Sequence, residues 1–132
     1  MRGFILFLLL VSVTATASAH HNEICKKIDP QGQVSYYACG EPEKTYPLRW
    51  NTSTTSANGK LASKMIELNS VCSDYTPGEI DYRYCRDLAK NHFEEQCDTL
   101  KRISQETRPG AYAEALKIEE ECFCTAARQF QP

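Results

Sequence analysis

The sequence predicts a small α+β protein that is mostly helical, with an N-terminal β-hairpin followed by a disulfide-stapled helical hairpin. Two runs of apolar residues at helical spacing flank a turn-forming segment at 108–110. A turn sequence at 29–32, followed by alternating apolar residues, is typical of a β-hairpin. The 132 residues include seven cysteines, which predicts covalent cross-links in an exported chain.

The first 19 residues have the pattern of a cleaved signal peptide. Arg2 supplies the positive charge, and the apolar run 4–13 is about half the roughly 20 residues that a membrane-spanning helix needs. Small residues at 17–19 mark the cleavage site, so we expect a mature chain that begins at His20. No later stretch is long and apolar enough to span a membrane, so we expect no membrane span. The signal peptide predicts a location in the periplasm or outside the cell.

Residues 20–40 are predicted to form a β-hairpin module. The turn Asp29-Pro30-Gln31-Gly32 has proline at the second position and glycine at the fourth, which favours a type I turn. Cys25 and Cys39 lie near the two open ends of the hairpin, so we predict a disulfide between them. A metal site is the alternative, but no second pair of ligands lies nearby.

The hairpin contains a short pattern: an apolar start followed by a basic residue, an aspartate, a glycine three residues on, then an apolar and an aromatic residue. The residues of this pattern are Ile24, Lys26, Asp29, Gly32, Val34 and Tyr36. The segment resembles the N-terminal hairpin of the proteobacterial family called domain of unknown function 4124, although Cys25 stands where that family usually has an aromatic residue. The resemblance implies a bacterial periplasmic protein and no particular activity.

Residues 41–58 are predicted to be a linker, because two prolines and a Ser/Thr-rich run disfavour regular structure. Residues 59–132 are assigned to a helical, disulfide-stapled region. Its first part, 60–72, is predicted to be a short helix, because four apolar residues fall at helical spacing. These residues are Leu61, Met65, Leu68 and Cys72.

Two longer helices are predicted to follow. Thr76 is the expected cap of the first, with Pro77 at its first position and Glu79 reaching back to the cap, and this helix runs to about Ser104. The second is expected over 111–127. The apolar face of the first carries Tyr82, Cys85, Ala89, Phe93, Cys97 and Leu100, and that of the second carries Ala115, Ile118, Cys122 and Ala126.

The remaining disulfides are predicted from antiparallel packing of these two helices. Cys97 then lies opposite residue 121 of the second helix, so we predict a bridge between Cys97 and Cys122. Cys85 would face beyond the chain end, so we pair it with Cys72 and leave Cys124 unpaired. Cys85 paired with Cys124, with Cys72 free, is the competing arrangement. An odd cysteine also allows a disulfide-linked dimer.

The motif Cys122-Phe123-Cys124 suggests either redox or metal chemistry, or two structural cysteines. Side chains two residues apart on a helix point about 200° apart, which favours structural cysteines with separate partners. The acidic run 119–121 should raise a thiol pKa and oppose nucleophilic use. His92 is interpreted as a surface or half-buried residue, and the pair His20-His21, a conceivable copper or nickel ligand set, as incidental.

These patterns favour a non-enzymatic protein without cofactor or metal. The formal net charge of −2 disfavours nucleic acid as a partner. We therefore expect a module that binds another protein, with a contact surface formed by Tyr36, Tyr37, Tyr46 and Trp50. The alternatives are a secreted inhibitor or effector that acts on another protein, and a thiol-active or metal-binding protein.

Overall fold

The computed structural model describes residues 23–132, with the side chains of 41–43 excepted. The elements are β1 (Ile24–Ile28), β2 (Val34–Ala38), β3 (Glu41–Pro47), β4 (Thr52–Ala57), β5 (Lys60–Ile66), a 3-10 turn (Leu68–Ser70), α1 (Ile80–Glu106) and α2 (Ala111–Gln129). The α+β fold class is confirmed, and the two helices together are longer than the five strands. The expected signal peptide and the pair His20-His21 lie outside the described residues.

Strands β1, β2 and β3 form an antiparallel sheet in that order. The predicted hairpin is its first part, and the turn closes with a hydrogen bond of 2.9 Å from the Gly32 N–H to the Asp29 carbonyl. The predicted disulfide between Cys25 and Cys39 is confirmed, with the two Cα atoms 5.0 Å apart. The disulfide therefore links β1 to the residue that directly follows β2.

The prediction that 41–58 is an irregular linker is wrong. The first part of this segment is β3, which extends the hairpin by placing Tyr46 opposite Tyr36 on β2. Because β3 is an edge strand that ends at Pro47, its last proline does not interrupt a hydrogen-bonded ladder on both sides. The second part is β4, which begins a separate two-stranded sheet with β5.

The short helix predicted over 60–72 is also wrong, because most of the segment is β5, paired antiparallel with β4. Asn58 and Gly59 form the connecting turn, with φ angles of 53° and 74°. A two-residue turn with positive φ at both positions fits the twist of paired strands, and Asn-Gly adopts it readily. Leu61 and Met65, which suggested a helical stripe, are 45% and 51% exposed.

The helical hairpin is confirmed, with two corrections at its ends. Helix α1 begins at Ile80, not at Pro77, and Glu79 occupies the cap position without a side-chain hydrogen bond. Gly78 has a φ of +95°, which a right-handed helix cannot contain, so the predicted capping box does not form. Helix α2 extends to Gln129, two residues past the predicted end.

One core joins both sheets to both helices. Tyr36 and Tyr46 enter it from the three-stranded sheet, and Ile66 enters it from β5. Phe93 of α1 lies at its centre with no exposed surface, in edge-to-face contact with Phe130 at a centroid distance of 5.4 Å. Neither α1 nor α2, the two helices in the described part of the chain, is apolar enough over a sufficient length to cross a membrane.

Candidate functional site

The disulfide map differs from the prediction at one bridge. The predicted pair Cys72–Cys85 is confirmed. Cys97 bonds Cys124, with the Cα atoms 4.7 Å apart, so the prediction of Cys97–Cys122 with Cys124 unpaired is wrong. The competing arrangement, in which Cys85 pairs with Cys124 and Cys72 is free, is wrong for the same reason. All three bridges lie within one chain.

Cys122 is the free cysteine, and it is buried. Its thiol lies against β5, where it interacts with the Ile66 backbone and with the charge of Lys64. The two sulfurs of the C-x-C motif therefore diverge as predicted, Cys124 towards α1 and Cys122 towards β5. Burial raises the pKa of the Cys122 thiol, and Glu119 adds to this rise, so the neutral thiol dominates at neutral pH.

Two of the four residues of the predicted aromatic contact surface are buried. Tyr36 and Tyr46 are each only 8% exposed, and both point into the core. The Tyr46 hydroxyl donates to Asp81 at 3.1 Å. Tyr37 and Trp50 are half-buried. Tyr36, Tyr46 and Trp50 therefore pack against the helices, and Tyr36 and Tyr46 are too buried to form a contact surface.

His92 is buried, 4% exposed, and the prediction of a surface or half-buried residue is wrong. Its Nδ1 lies 3.2 Å from the Tyr36 hydroxyl, and the rings of Trp50 and Phe123 pack around it. Burial lowers the pKa of His92 to about 4, and the charge of Glu95 only partly opposes this. The imidazole is therefore neutral at neutral pH. Within 23–132, no group of three or more His, Cys, Asp or Glu side chains is placed to hold a metal ion.

The most exposed regular element is β4, in which every residue from Thr52 to Ala57 is solvent-exposed. Within the described residues it pairs only with β5, so its other edge carries unpaired backbone groups. Edge strands are usually protected by charges, proline or a bulge. β4 contains neither charge nor proline, and its register shift lies between Thr55 and Ser56, next to the turn. The stretch Thr52–Thr55 is therefore a regular, unprotected edge.

The hydrogen-bond pattern identifies which groups on this edge face outward. The Glu67 N–H donates to the Asn51 carbonyl at 2.9 Å. Hydrogen-bonded and non-hydrogen-bonded pairs alternate along antiparallel strands, so Ser53 and Thr55 bond to β5. The N–H and C=O groups of Thr52 and Thr54 point away from β5 and form the outer edge.

The ribbon formed by β4 and β5 packs against α2 through β5. Ile66 at the end of β5 is buried in the core. Lys64 forms an ion pair with Glu119 of α2, with Nζ 2.7 Å from Oε1. Across the ribbon, the Thr55 and Ser63 hydroxyls are hydrogen-bonded at 2.6 Å. These contacts fix the ribbon to α2 and leave the outer edge of β4 in solvent.

Sequence reasoning missed this edge, although two signals were present. The run Thr52–Ser56 is rich in threonine, which favours strands, and Asn58-Gly59 is a strong hairpin signal.

Compared with known proteins, the chain matches no protein-family model, no curated protein and no solved structure. The resemblance of the hairpin to domain of unknown function 4124 therefore stays a prediction.

Proposed function

We propose that this protein is an exported, non-enzymatic module that binds an extended segment of another protein along the outer edge of β4. The observation that carries the proposal is the regular, uncharged and exposed edge at Thr52–Thr55. Three intramolecular disulfides fit an oxidising compartment, where such a partner would be met.

The edge is suited to adding a third strand to the two-stranded ribbon. An extended peptide that pairs with β4 would accept from and donate to the backbone groups of Thr52 and Thr54. A two-stranded sheet is marginal by itself, so an added strand also stabilises the ribbon. The exposed Ser and Thr side chains on both faces of β4 offer hydroxyl groups for specificity, and their short length leaves the backbone accessible.

Burial of the free thiol supports this proposal over the thiol-active alternative. Cys122 is 1% exposed, and burial raises its pKa, so the thiolate needed for reaction or metal binding is scarce. A spare cysteine in this position is also shielded from a second chain, which opposes a disulfide-linked dimer of the folded protein.

The test is photocross-linking in the compartment where the protein accumulates, with a photoreactive amino acid at Ser56. We expect one cross-linked protein from the otherwise unchanged chain, and loss of that product in Thr54→Pro. The proline removes an outward N–H that β5 does not use, so an edge strand tolerates it. Thr54→Ala keeps the N–H and is the matched control, which should retain the product.

Thr54→Lys provides a second variant in case the proline disturbs the ribbon, because an edge lysine opposes strand addition without removing any backbone group. Circular dichroism verifies that each variant folds. A cross-linked product that persists in folded Thr54→Pro and Thr54→Lys would refute binding along the β4 edge.

A further inference from the structure

An open groove of about 500 Å³ lies between the β1–β2 turn and the connection from β3 to β4. This volume is within the range of small-molecule sites. The groove is distinct from the outer edge of β4. Its polar and aromatic lining residues are Gln31, Gln33, Arg49, Trp50, Asn51 and Ser73.

Trp50 gives the groove a fixed aromatic wall. Its ring packs edge-to-face against Phe93 at a centroid distance of 5.2 Å and against Phe123 at 6.2 Å. His92 packs on it as well, with centroids 5.7 Å apart. The indole is half-buried, so the part that lines the groove is held in place by the core behind it. A ligand that contacts it does not have to immobilise it.

The amide side chains supply hydrogen-bonding groups around this wall. The Gln33 amide nitrogen donates to the Leu48 carbonyl and, at 3.3 Å, to the Val34 carbonyl. Because both of its N–H groups are used in this way, the Gln33 carbonyl oxygen remains as a fixed acceptor. Gln31 and Asn51 are exposed and can both donate and accept.

The groove carries little net charge. Arg49 is the only charged residue that lines it, and its guanidinium is paired with Asp74 at 3.3 Å. Asp74 therefore balances the one charge of the lining, which favours a ligand without net charge. The chemistry that remains is a rigid indole surrounded by neutral amides and a hydroxyl group.

We propose that this groove binds a neutral oligosaccharide. A sugar ring has an apolar face of C–H groups that can contact the indole, and its rim of hydroxyl groups both donates and accepts hydrogen bonds. The amides of Gln31 and Asn51 match that rim, since each provides two donors and one acceptor oxygen. The site is independent of the proposed strand addition along β4.

The test uses intrinsic fluorescence, because Trp50 is the only tryptophan and it lines this groove. The protein is titrated separately with the N-acetylglucosamine trimer, with cellotriose and with an oligoproline peptide. We expect a saturable change with at least one trisaccharide and none with oligoproline. The trimer and cellotriose arms distinguish an acetamido sugar from a purely hydroxylated one.

Substitutions assign the response to the lining. Gln31→Ala and Asn51→Ala should each weaken binding about five-fold, which is the typical effect of losing one hydrogen bond. Gln105→Ala and Asn91→Ala, exposed amides on α1, are the matched controls and should leave affinity unchanged. Thr54→Pro should also leave it unchanged, which separates this site from the β4 edge.

Two results would overturn the proposal. One is the absence of a saturable response to either trisaccharide, and the other is a response that Gln31→Ala and Asn51→Ala do not weaken. A response to oligoproline alone would show that the groove takes an extended proline-rich peptide instead.

Discussion

The α1–α2 hairpin and the β4–β5 ribbon are both antiparallel pairs, but the helical pair buries much of its surface and the ribbon leaves most of its surface exposed. The helical pair encloses Phe93, carries a disulfide and contributes to a core that also reaches the three-stranded sheet. In the ribbon, β4 is exposed throughout, and only Ile66 of β5 is buried. The helices therefore stabilise the fold, and the ribbon presents accessible backbone groups along the outer edge of β4.

Removing the central core side chain should have the largest effect on stability. Phe93→Ala deletes a ring that is fully buried and that contacts Trp50 and Phe130. We expect the free energy of unfolding to fall by about 3–5 kcal/mol, measured by urea denaturation. Tyr112→Ala, at a site 68% exposed on α2, is the control and should change it by less than about 0.5 kcal/mol.

Opening the helical hairpin should have the next largest effect. Cys97 and Cys124 are separated by 27 positions in the sequence, and their replacement by alanine should cost about 3.5 kcal/mol if the disulfide acts by restricting the unfolded chain. Single variants sharpen the assignment. Cys124→Ala should remove one bridge in non-reducing peptide mapping, whereas Cys122→Ala should leave all three. The opposite pattern would show that Cys97 bonds Cys122.

Acid should weaken the contact between the helices and the three-stranded sheet. His92 has a pKa of about 4 in the folded protein, below its ordinary value near 6.5, so the unfolded chain binds a proton first as pH falls. Stability from this group is complete above about pH 6.5 and should fall by about 3 kcal/mol towards pH 4.

Comparison with His92→Gln isolates this contribution from the carboxylates, which also titrate at the acid end. Urea denaturation between pH 7 and pH 4 should show a steeper loss of stability for the histidine protein than for the variant. Parallel curves would show that the imidazole is not kept neutral by burial.

Loosening the ribbon from α2 should have the smallest effect. Lys64→Met removes a half-buried ion pair with Glu119 and should lower the free energy of unfolding by about 0.5–1 kcal/mol. Lys60→Met, on the same strand at an exposed position, should leave it unchanged. A loss as large as that of Phe93→Ala would mean that the ribbon belongs to the stabilising core.

The same contrast explains what the sequence could predict. Helices α1 and α2 were predictable because Cys85, Ala89 and Phe93 recur at helical spacing and all three are buried. The first hairpin was predictable from its turn. The ribbon was not, because Leu61 and Met65 matched a helical stripe by spacing alone, although both are largely exposed. Apolar residues at helical spacing therefore predict a helix reliably only where those residues are buried in the fold.

The disulfide partner of Cys97, the burial of His92 and the open edge of β4 could not be predicted from local sequence patterns. The distance between Cys97 and Cys124 depends on how far α2 slides along α1, and the predicted partner was two residues away. The burial of His92 depends on Tyr36 and Trp50, which are remote in sequence. The open edge of β4 depends on what the rest of the chain leaves uncovered, which is a property of the whole fold.

Whether the outer edge of β4 is open is tested most directly by amide hydrogen exchange. The exchange rates along β4 are measured by NMR at low and at high protein concentration. If the outer edge of β4 is open, the Thr52 and Thr54 amides should exchange at nearly the rate of an unfolded chain, while the Ser53 and Thr55 amides should be protected by β5. This alternation should be the same at both concentrations. Protection of all four amides would show that the edge is already covered, and would contradict its role as the binding surface.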